Sequence, residues 1–424
     1  MNNDLEFKNI NKRFNIHYLS TDKFKTNLIQ LYFMLPLKNN KEAAMTALLP
    51  AVLKRGSENF PNSRAVKTEL EELYGSKLNF NVVKRGENQI LKFSLEIVNE
   101  KFLPHKENLT EKAFGLLNDI IFNPLLEKGR FKQNFLTQEK ENLKNNIISL
   151  INDKYSYALE KCIKNMCRDE KYGIYKLGDI RAVDAVSSEE LYNHYKKTID
   201  AARRSLFLVG SFKKSFRDNI YQNTPLKAGK EIYDKNTELI YRDKEVDYYQ
   251  EKLSVNQAKL TLGFRTGITR KMDDYYALLV CSSLLGGSTH SKLFQEIREK
   301  RSLAYYVNSS IESTKGLLFV NSGIDADNSE KVVELINREI KEIIEGNFSE
   351  NDFLRSKKSI INSLKEDYDS SRALAAQYLL SLINERRESI SDTIEGINSV
   401  GISDVQAAAA KFKLDTVYLL KSEE

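Results

Sequence analysis

The sequence predicts an α+β protein built from two homologous domains, each a mainly antiparallel sheet with helices on one face. Two observations predict this. Segments of the first half recur in the second half in the same order, and each half mixes strand-like alternation with helical periodicity without a strict β-α-β rhythm. A third observation agrees with them, because 424 residues exceed what one hydrophobic core spans.

The repeat rests on three matches. Ala47-Leu48-Leu49 followed by Gly56-Ser57 resembles Ala277-Leu278-Leu279 followed by Gly286-Gly287, with glycine nine positions after alanine in both. GRFKQNFLTQEKENL from Gly129 resembles GNFSENDFLRSKKSI from Gly346, pairing Phe135-Leu136 with Phe353-Leu354. Ile180, Val183, Val186 and Leu191 match Ile394, Ile397, Val400 and Val405. The offsets are 230, 217 or 218, and 214 residues, in one order along the chain.

Each copy opens with a strand, Leu28–Met34 or the alternating Lys259–Phe264, and a helix comes next near 43–54 or 273–285. Strands are predicted near 77–84, 90–97, 303–311 and 317–324. Val332, Val333, Ile336, Ile340 and Ile343 recur at helical spacing. Long helices are predicted over about 132–152 and 350–367, and closing strands at Ser205–Val209 and Thr416–Leu420. The polar stretch from about Lys213 to Val246 separates the copies. The domains are placed at 1–220 and 246–424, with the linker at 221–245.

Composition narrows the function. The formal charge is only +6, with 65 basic against 59 acidic residues interspersed, which argues against a nucleic-acid groove. No apolar run reaches membrane-spanning length. The N-terminus is polar where a signal peptide needs an apolar region, so a cytoplasmic location is expected. Cys162, Cys167 and Cys281 read as reduced thiols.

Catalytic signatures are sparse. There is no GxSxG, GxxxxGK[ST] or GxGxxG element. A zinc hydrolase needs two His at i and i+4 on one helix face with a Glu between them, whereas His17, His105, His194 and His290 are all far apart. His194 is expected at the surface and His17 just before a strand. Ser288-Thr289-His290 reads as a glycine-led turn. One segment carries usable chemistry: GGSTHSKLFQEIREKRSLAYYVNSSI, Gly286 to Ile311, reads as a glycine turn, a charged helix and a Tyr-rich strand. Arg298 and Tyr305, seven residues apart, converge if the helix–strand corner is tight. Together they could then donate hydrogen bonds to a peptide carbonyl or a developing oxyanion.

At these residues the chain resembles the insulinase-like (pitrilysin, M16) zinc metallopeptidases. LFQEIREKRSLAYYV is similar to that family's C-terminal Arg/Tyr segment. RGSENFPNSRAVKTELEELYGSKLNFNV resembles the segment C-terminal to its zinc helix, and YGIYKLGDIRAVDAVSSEELYNHYKK resembles the segment closing its N-terminal domain. The resemblance implies two M16-type domains in a clam-like arrangement.

Active members carry His-x-x-Glu-His ending in Lys/Arg-Gly-Thr/Ser. Aligned on Arg55-Gly56-Ser57, the first His position falls on Ala47, the Glu on Pro50 and the second His on Ala51. The third ligand, a Glu, falls on Asn146, while the supporting glutamate seven residues before it is retained as Glu139. Seven residues are two helical turns, so Glu139 and Asn146 share a face. No zinc is expected in this chain, and no zinc peptidase activity from it alone.

By resemblance, Arg298 and Tyr305 would hold and polarise a substrate carbonyl, with Gly286, Gly287 and Ser288 shaping the substrate entrance. This is the pattern of members that act as pairs. It implies a heterodimer with a His-x-x-Glu-His paralogue that holds the zinc, acting on unfolded peptides, with no nucleic-acid or membrane partner. The resemblance runs to zinc-ligand-lacking bacterial members associated with 5-aminopentanol modification of elongation factor P. A proteolytically inactive scaffold or adaptor in that modification is therefore the alternative.

Overall fold

The computed structural model describes residues 6–11, 15–105, 107–220, 222, 239–240 and 245–423. In the first half the strands are β1 (Lys8–Asn11), β2 (Ile16–Ser20), β3 (Thr26–Pro36), β4 (Lys77–Arg85), β5 (Asn88–Val98), β6 (Leu126–Glu127), β7 (Arg130–Phe131) and β8 (Arg203–Gly210). Its helices are α1 (Asn40–Leu53), α2 (Ser63–Glu72), α3 (Leu109–Phe122), α4 (Gln133–Ser149), α5 (Lys154–Met166), α6 (Ile180–Asp184), α7 (Ser188–Ala201) and α8 (Lys214–Asn219). The second half holds β9 (Asp247–Lys252), β10 (Ala258–Arg265), β11 (Ala304–Glu312), β12 (Leu317–Ile324) and β13 (Lys413–Lys421). Its helices are α9 (Tyr275–Gly286), α10 (Ser329–Glu345), α11 (Glu350–Asp367), α12 (Ser371–Ile383), α13 (Ile390–Ser399) and α14 (Ile402–Ala409).

The duplication seen in sequence recurs in topology. One sheet runs β1-β2-β8-β3-β5-β4, the other β11-β12-β10-β13-β9. Taken from β9, the second order reproduces β2-β8-β3-β5-β4 strand for strand. Both sheets carry one parallel pair at the matching place, β2 with β8 and β9 with β13, and are otherwise antiparallel. The strands expected from sequence fall on β3, β4, β5, β8, β10, β11, β12 and β13, with the one expected at 303–311 starting one residue before β11. Alternation alone placed no strand at β1, β2 or β9. His17, expected before a strand, lies within β2.

Compactness does not follow chain order. Unit 1 takes 1–148, 174–235 and 370–376; unit 2 takes 149–173, 236–369 and 377–424. Each unit thus includes a piece of the other copy. Of the expected linker, residues 221, 223–238 and 241–244 lie outside the described residues. In unit 1, Arg372 of α12 pairs with Glu96 of β5 at 2.6 Å.

In unit 2 the sheet is covered on both faces. Ala258, Leu260, Leu262 and Phe264 of β10 alternate into a core with α9 residues such as Leu278 and Leu284. The opposite face, with Leu317, Phe319, Tyr418 and Leu420, packs against Ala158, Cys162, Ile163 and Met166 of α5. Every residue of β12 is accordingly buried. Gly263 admits α5, since a Cβ there would lie 2.7 Å from Met166 Sδ.

Four buried charges fasten this helix. Arg265, ending β10, donates from Nε to Asp415 of β13 (2.7 Å) and from Nη2 to Glu170 (2.7 Å) and the Met166 carbonyl (3.1 Å). Lys315, in the β11–β12 turn, reaches Glu170 at 2.8 Å. Removing one partner strands the rest without water. Arg265→Met therefore lowers the unfolding free energy by about 3–5 kcal/mol in urea titrations, and an unchanged midpoint would refute the clamp.

Candidate functional site

The four positions matched to a zinc site come together in unit 1. Ala47, Pro50 and Ala51 of α1 and Asn146 of α4 line one cavity of about 690 Å³. α1 starts at Asn39, whose side chain accepts from Glu42 N at 2.9 Å, and it continues through Pro50 to Leu53. Pro50 has no N–H to give the Thr46 carbonyl. The helix survives because it is buried along most of its length and recloses with Lys54 N to Pro50 O at 3.2 Å. Gly56 then turns at φ +150, where a Cβ would stand 2.5 Å from the Phe60 carbonyl.

Glu139 is 8% exposed and faces the same cavity. Arg55 Nε and Nη2 both bond one of its carboxylate oxygens, and Asn142 Nδ2 donates to the other at 3.0 Å. From sequence Arg55 served only to anchor the alignment, and Asn142 was not singled out. The signal was available, because Asn142 lies three residues from Glu139 and four from Asn146, on one helix face.

A zinc ion does not fit these residues. Ala and Pro side chains carry no donor atom, Asn146 offers a neutral amide, and the Glu139 carboxylate is taken by Arg55 and Asn142. Among the described residues no group of three or more His, Cys, Asp or Glu is placed to hold a metal.

In unit 2 the Arg/Tyr segment contains two backbone irregularities. The helix expected around Arg298 is a π-helical turn, Phe294–Glu299, with Lys300 N bonded to Gln295 O at 2.9 Å. The corner after it is tight: Leu303 N bonds Ile297 O at 2.9 Å, Ser302 N bonds Arg298 O at 3.0 Å, and Ser302 sits at φ +52. Two residues later the register slips. Ala304 pairs with Ile324 and Tyr306 with Gly323, so Tyr305 is the extra residue of a β-bulge.

The bulge turns its two tyrosines to different surroundings. Tyr306 packs 5.8 Å from the Tyr155 ring of α5, with Lys259 over it at 5.2 Å, and burial pushes its hydroxyl pKa up. Tyr305 is 64% exposed, and its hydroxyl has no hydrogen-bond partner among the described residues. The Arg298 side chain is 44% exposed, 4.0 Å from Glu299 and 4.8 Å from the Phe294 ring centroid. Among the described residues the two side chains do not bond each other. Both remain available to an external acceptor. Phe294, under the guanidinium, was not singled out from sequence.

Gly286 and Gly287 serve close packing. A Cβ on Gly286 would meet Ser309 N of β11 at 2.7 Å, and one on Gly287 the Ser283 Cα at 2.6 Å. Ser288 accepts from His290 N at 3.3 Å and closes the turn through its carbonyl to Ser291. His194, expected at the surface, is instead 8% exposed, with Nε2 2.8 Å from Thr46 Oγ1 of α1. Burial, with Lys197 and Lys38 nearby, lowers its pKa to about 4. Burial also pushes the Cys162 and Cys281 thiols up, which makes them poor nucleophiles.

Known proteins resemble this chain in sequence and fold. Residues 185–360 match the family described as "Peptidase M16 inactive domain". A Bacillus subtilis (strain 168) protein named "Probable inactive metalloprotease YmfF" is 35% identical over 412 residues, 96% of each chain. The crystal structure of a conserved protein from Enterococcus faecalis V583 superposes with a TM-score of 0.89 at 28% identity, over 97% of this chain and 98% of that one. A peptidase M16 inactive domain from Pseudomonas fluorescens gives 0.79 at 16% identity, over 99% and 98%, a likeness of fold.

The His194 environment sets a pH dependence. The unfolded chain takes up this proton near the model-peptide value of 6.5 and the folded chain only near 4. Stability is therefore retained above pH 6.5 and lost as pH falls through that window. The loss from this group is on the order of 3 kcal/mol. His194→Gln flattens the dependence between those values in denaturant titrations at stepped pH.

Proposed function

The chain belongs to the M16 peptidase family, and on that premise we propose that it is a non-catalytic subunit supplying Arg298 and Tyr305 to a peptide held by a zinc-bearing partner. The observation that carries this reading is the placement of both residues on irregular backbone. A π-helical turn and a β-bulge each cost regular hydrogen bonding, and such features concentrate where a side chain must be aimed. Arg298 and Tyr305 are aimed outward with donors to spare, while the cavity of unit 1 has no ligand set.

The chemistry comes from those donors. The zinc that this reading assigns to the partner would supply the metal-bound water. In this chain, the Tyr305 hydroxyl and the Arg298 guanidinium would hold the substrate carbonyl, bonding more strongly as negative charge grows on its oxygen. Tyr305, exposed on edge strand β11, and Arg298, exposed on the π-helical turn before it, suit an extended, unfolded peptide recognised through its backbone. The partner is a His-x-x-Glu-His paralogue from the same cell, and the complex is cytoplasmic.

Co-expression with that paralogue tests the reading through peptide cleavage. Tyr305→Phe lowers kcat of the complex by about 100-fold or more, the usual cost of losing one oxyanion donor. An unchanged kcat overturns it. Recovery of an elongation factor P modification enzyme and no zinc-bearing paralogue in a native pull-down would support the scaffold role instead.

A further inference from the structure

Unit 2 contains a polar cavity that neither Arg298 nor Tyr305 lines, and we propose that it binds a small organic phosphate monoester. Its lining belongs wholly to unit 2, and the site does not rest on the trans arrangement above.

The backbone builds two walls. One comes from the turn at 288–291, which Ser291 N closes on Ser288 O at 3.1 Å, and from the π-helical turn after it. His290, Lys292, Glu296 and Lys300 line this side. The other wall comes from the α10–α11 connection. α10 ends at Gly346 in the left-handed region, φ +80, and Asn347 N returns to Glu342 O at 2.8 Å. Asp352 and Arg355 follow three residues apart on one face of α11. Lys292 ties the walls together by donating to the Asn347 carbonyl at 3.0 Å. The space between them is about 370 Å³, at the lower end of the range of ligand pockets, roughly 300–1,000 Å³.

The carboxylates of the lining are already engaged. Glu296 is bonded by Lys300 and by Arg301 Nη1 at 2.5 Å, with Arg338 3.6 Å away. Asp352 accepts from Ser349 Oγ at 2.6 Å and so serves the cap of α11. Lys292, its side chain 16% exposed, pairs with Glu339 at 3.2 Å, and its ammonium keeps a third donor beyond these two contacts. Arg355 is exposed and has no ion-pair or hydrogen-bond partner among the described residues, and the His290 ring has no hydrogen-bond partner among them. With these partners counted, Lys292, Lys300, Arg301, Arg338 and Arg355 stand against Glu296, Glu339 and Asp352, a surplus of two positive charges. Glu345, which accepts from Asn347 Nδ2 at 3.3 Å, is matched by Lys341 at 3.6 Å and leaves that surplus unchanged.

That charge selects the ligand. A phosphate monoester carries about −1.5 to −2 at pH 7 and presents three strong acceptor oxygens. The Arg355 fork matches two of them, and Lys292 and His290 supply further donors. A carboxylate brings one charge and two oxygens. The volume exceeds that of a bare phosphate, and half-buried Phe348 offers carbon to a ring-sized organic group. None of the lining residues lies on a β-strand, so an extended peptide finds no free backbone edge here.

The test titrates phenyl phosphate into the full chain alone by isothermal calorimetry at low ionic strength. Saturable binding is expected, about threefold or more tighter than inorganic phosphate, which lacks the ring, and about tenfold or more tighter than benzoate, which has the ring and a single charge. Arg355→Gln, on an exposed helix surface, is expected to weaken phenyl phosphate about tenfold at unchanged Tm. Added salt weakens binding in the native chain and less so in that variant. No saturation, an affinity for phenyl phosphate no better than for phosphate or benzoate, or an Arg355→Gln variant that binds as before overturns the proposal. A phosphoserine peptide that binds more tightly than phenyl phosphate overturns the small-molecule assignment. The benzoate comparison uses the native chain, so the test stands even if Arg355→Gln misfolds. No partner is present and no cleavage is read, which keeps this result separate from that of the trans-catalysis test.

Discussion

The architecture of unit 2 depends on the pairing of Arg265 and Lys315 with Glu170 and Asp415 away from water. Two positive and two negative groups, all buried, leave a neutral cluster in which each charge has a partner. Isolated, any one of them would carry a desolvation penalty of several kcal/mol. Paired, they tie the end of α5 to β10, β13 and the β11–β12 turn together. The consequence reaches further than the charges. α5 covers the second face of the sheet, and its Tyr155 donates to Asn308 at 3.1 Å and packs on Tyr306. Tyr306 is thereby held inward, and the bulge leaves its neighbour Tyr305 facing solvent.

The two halves have diverged around a shared plan. In unit 1, the positions matched to metal ligands hold two alanines with no donor atom and one asparagine with only a neutral amide, and Arg55 neutralises the Glu139 carboxylate beside them. Retaining Glu139 without a counter-charge would leave a buried anion, so the Arg55 pairing is what makes the vacated site stable. In unit 2, the strain lies in the backbone instead. Ser302 occupies the left-handed region at φ +52, and Gly323 has no side chain because a Cβ would come within 2.5 Å of the Tyr306 ring. Such features persist only where surrounding packing overrules local preference.

Much of this was legible in the sequence, for a local reason. Alternation in Lys259–Phe264 marks a strand because one face of β10 packs on α9, and the 3.6-residue period of Val332, Ile336, Ile340 and Ile343 marks α10 for the same cause. The repeat offsets anticipated two sheets of matching order. The Ala47, Pro50, Ala51 and Asn146 assignment came from resemblance, and the structure brings all four to one cavity. Other features were hidden. β9, DYYQEK, has half-exposed, polar alternation because it is an edge strand, and its parallel partner β13 lies over 160 residues away. His194 sits in a charged helical stretch that reads as surface, yet α1 packs against α7 and buries it beside Thr46.

By itself, then, the chain's order of residues determined the α+β class and the duplication, which rest on recurring segments and on periods of a few residues. The zinc-matched positions and the Arg/Tyr segment, by contrast, were assigned by resemblance. The tertiary structure alone decided that α5 serves the other copy's sheet, that Arg55 closes on Glu139, and that Tyr305 stands on a bulge over an inward Tyr306. Those outcomes depend on contacts between residues far apart in the chain. Desolvation of charge and close packing select such contacts only after the sheets have formed.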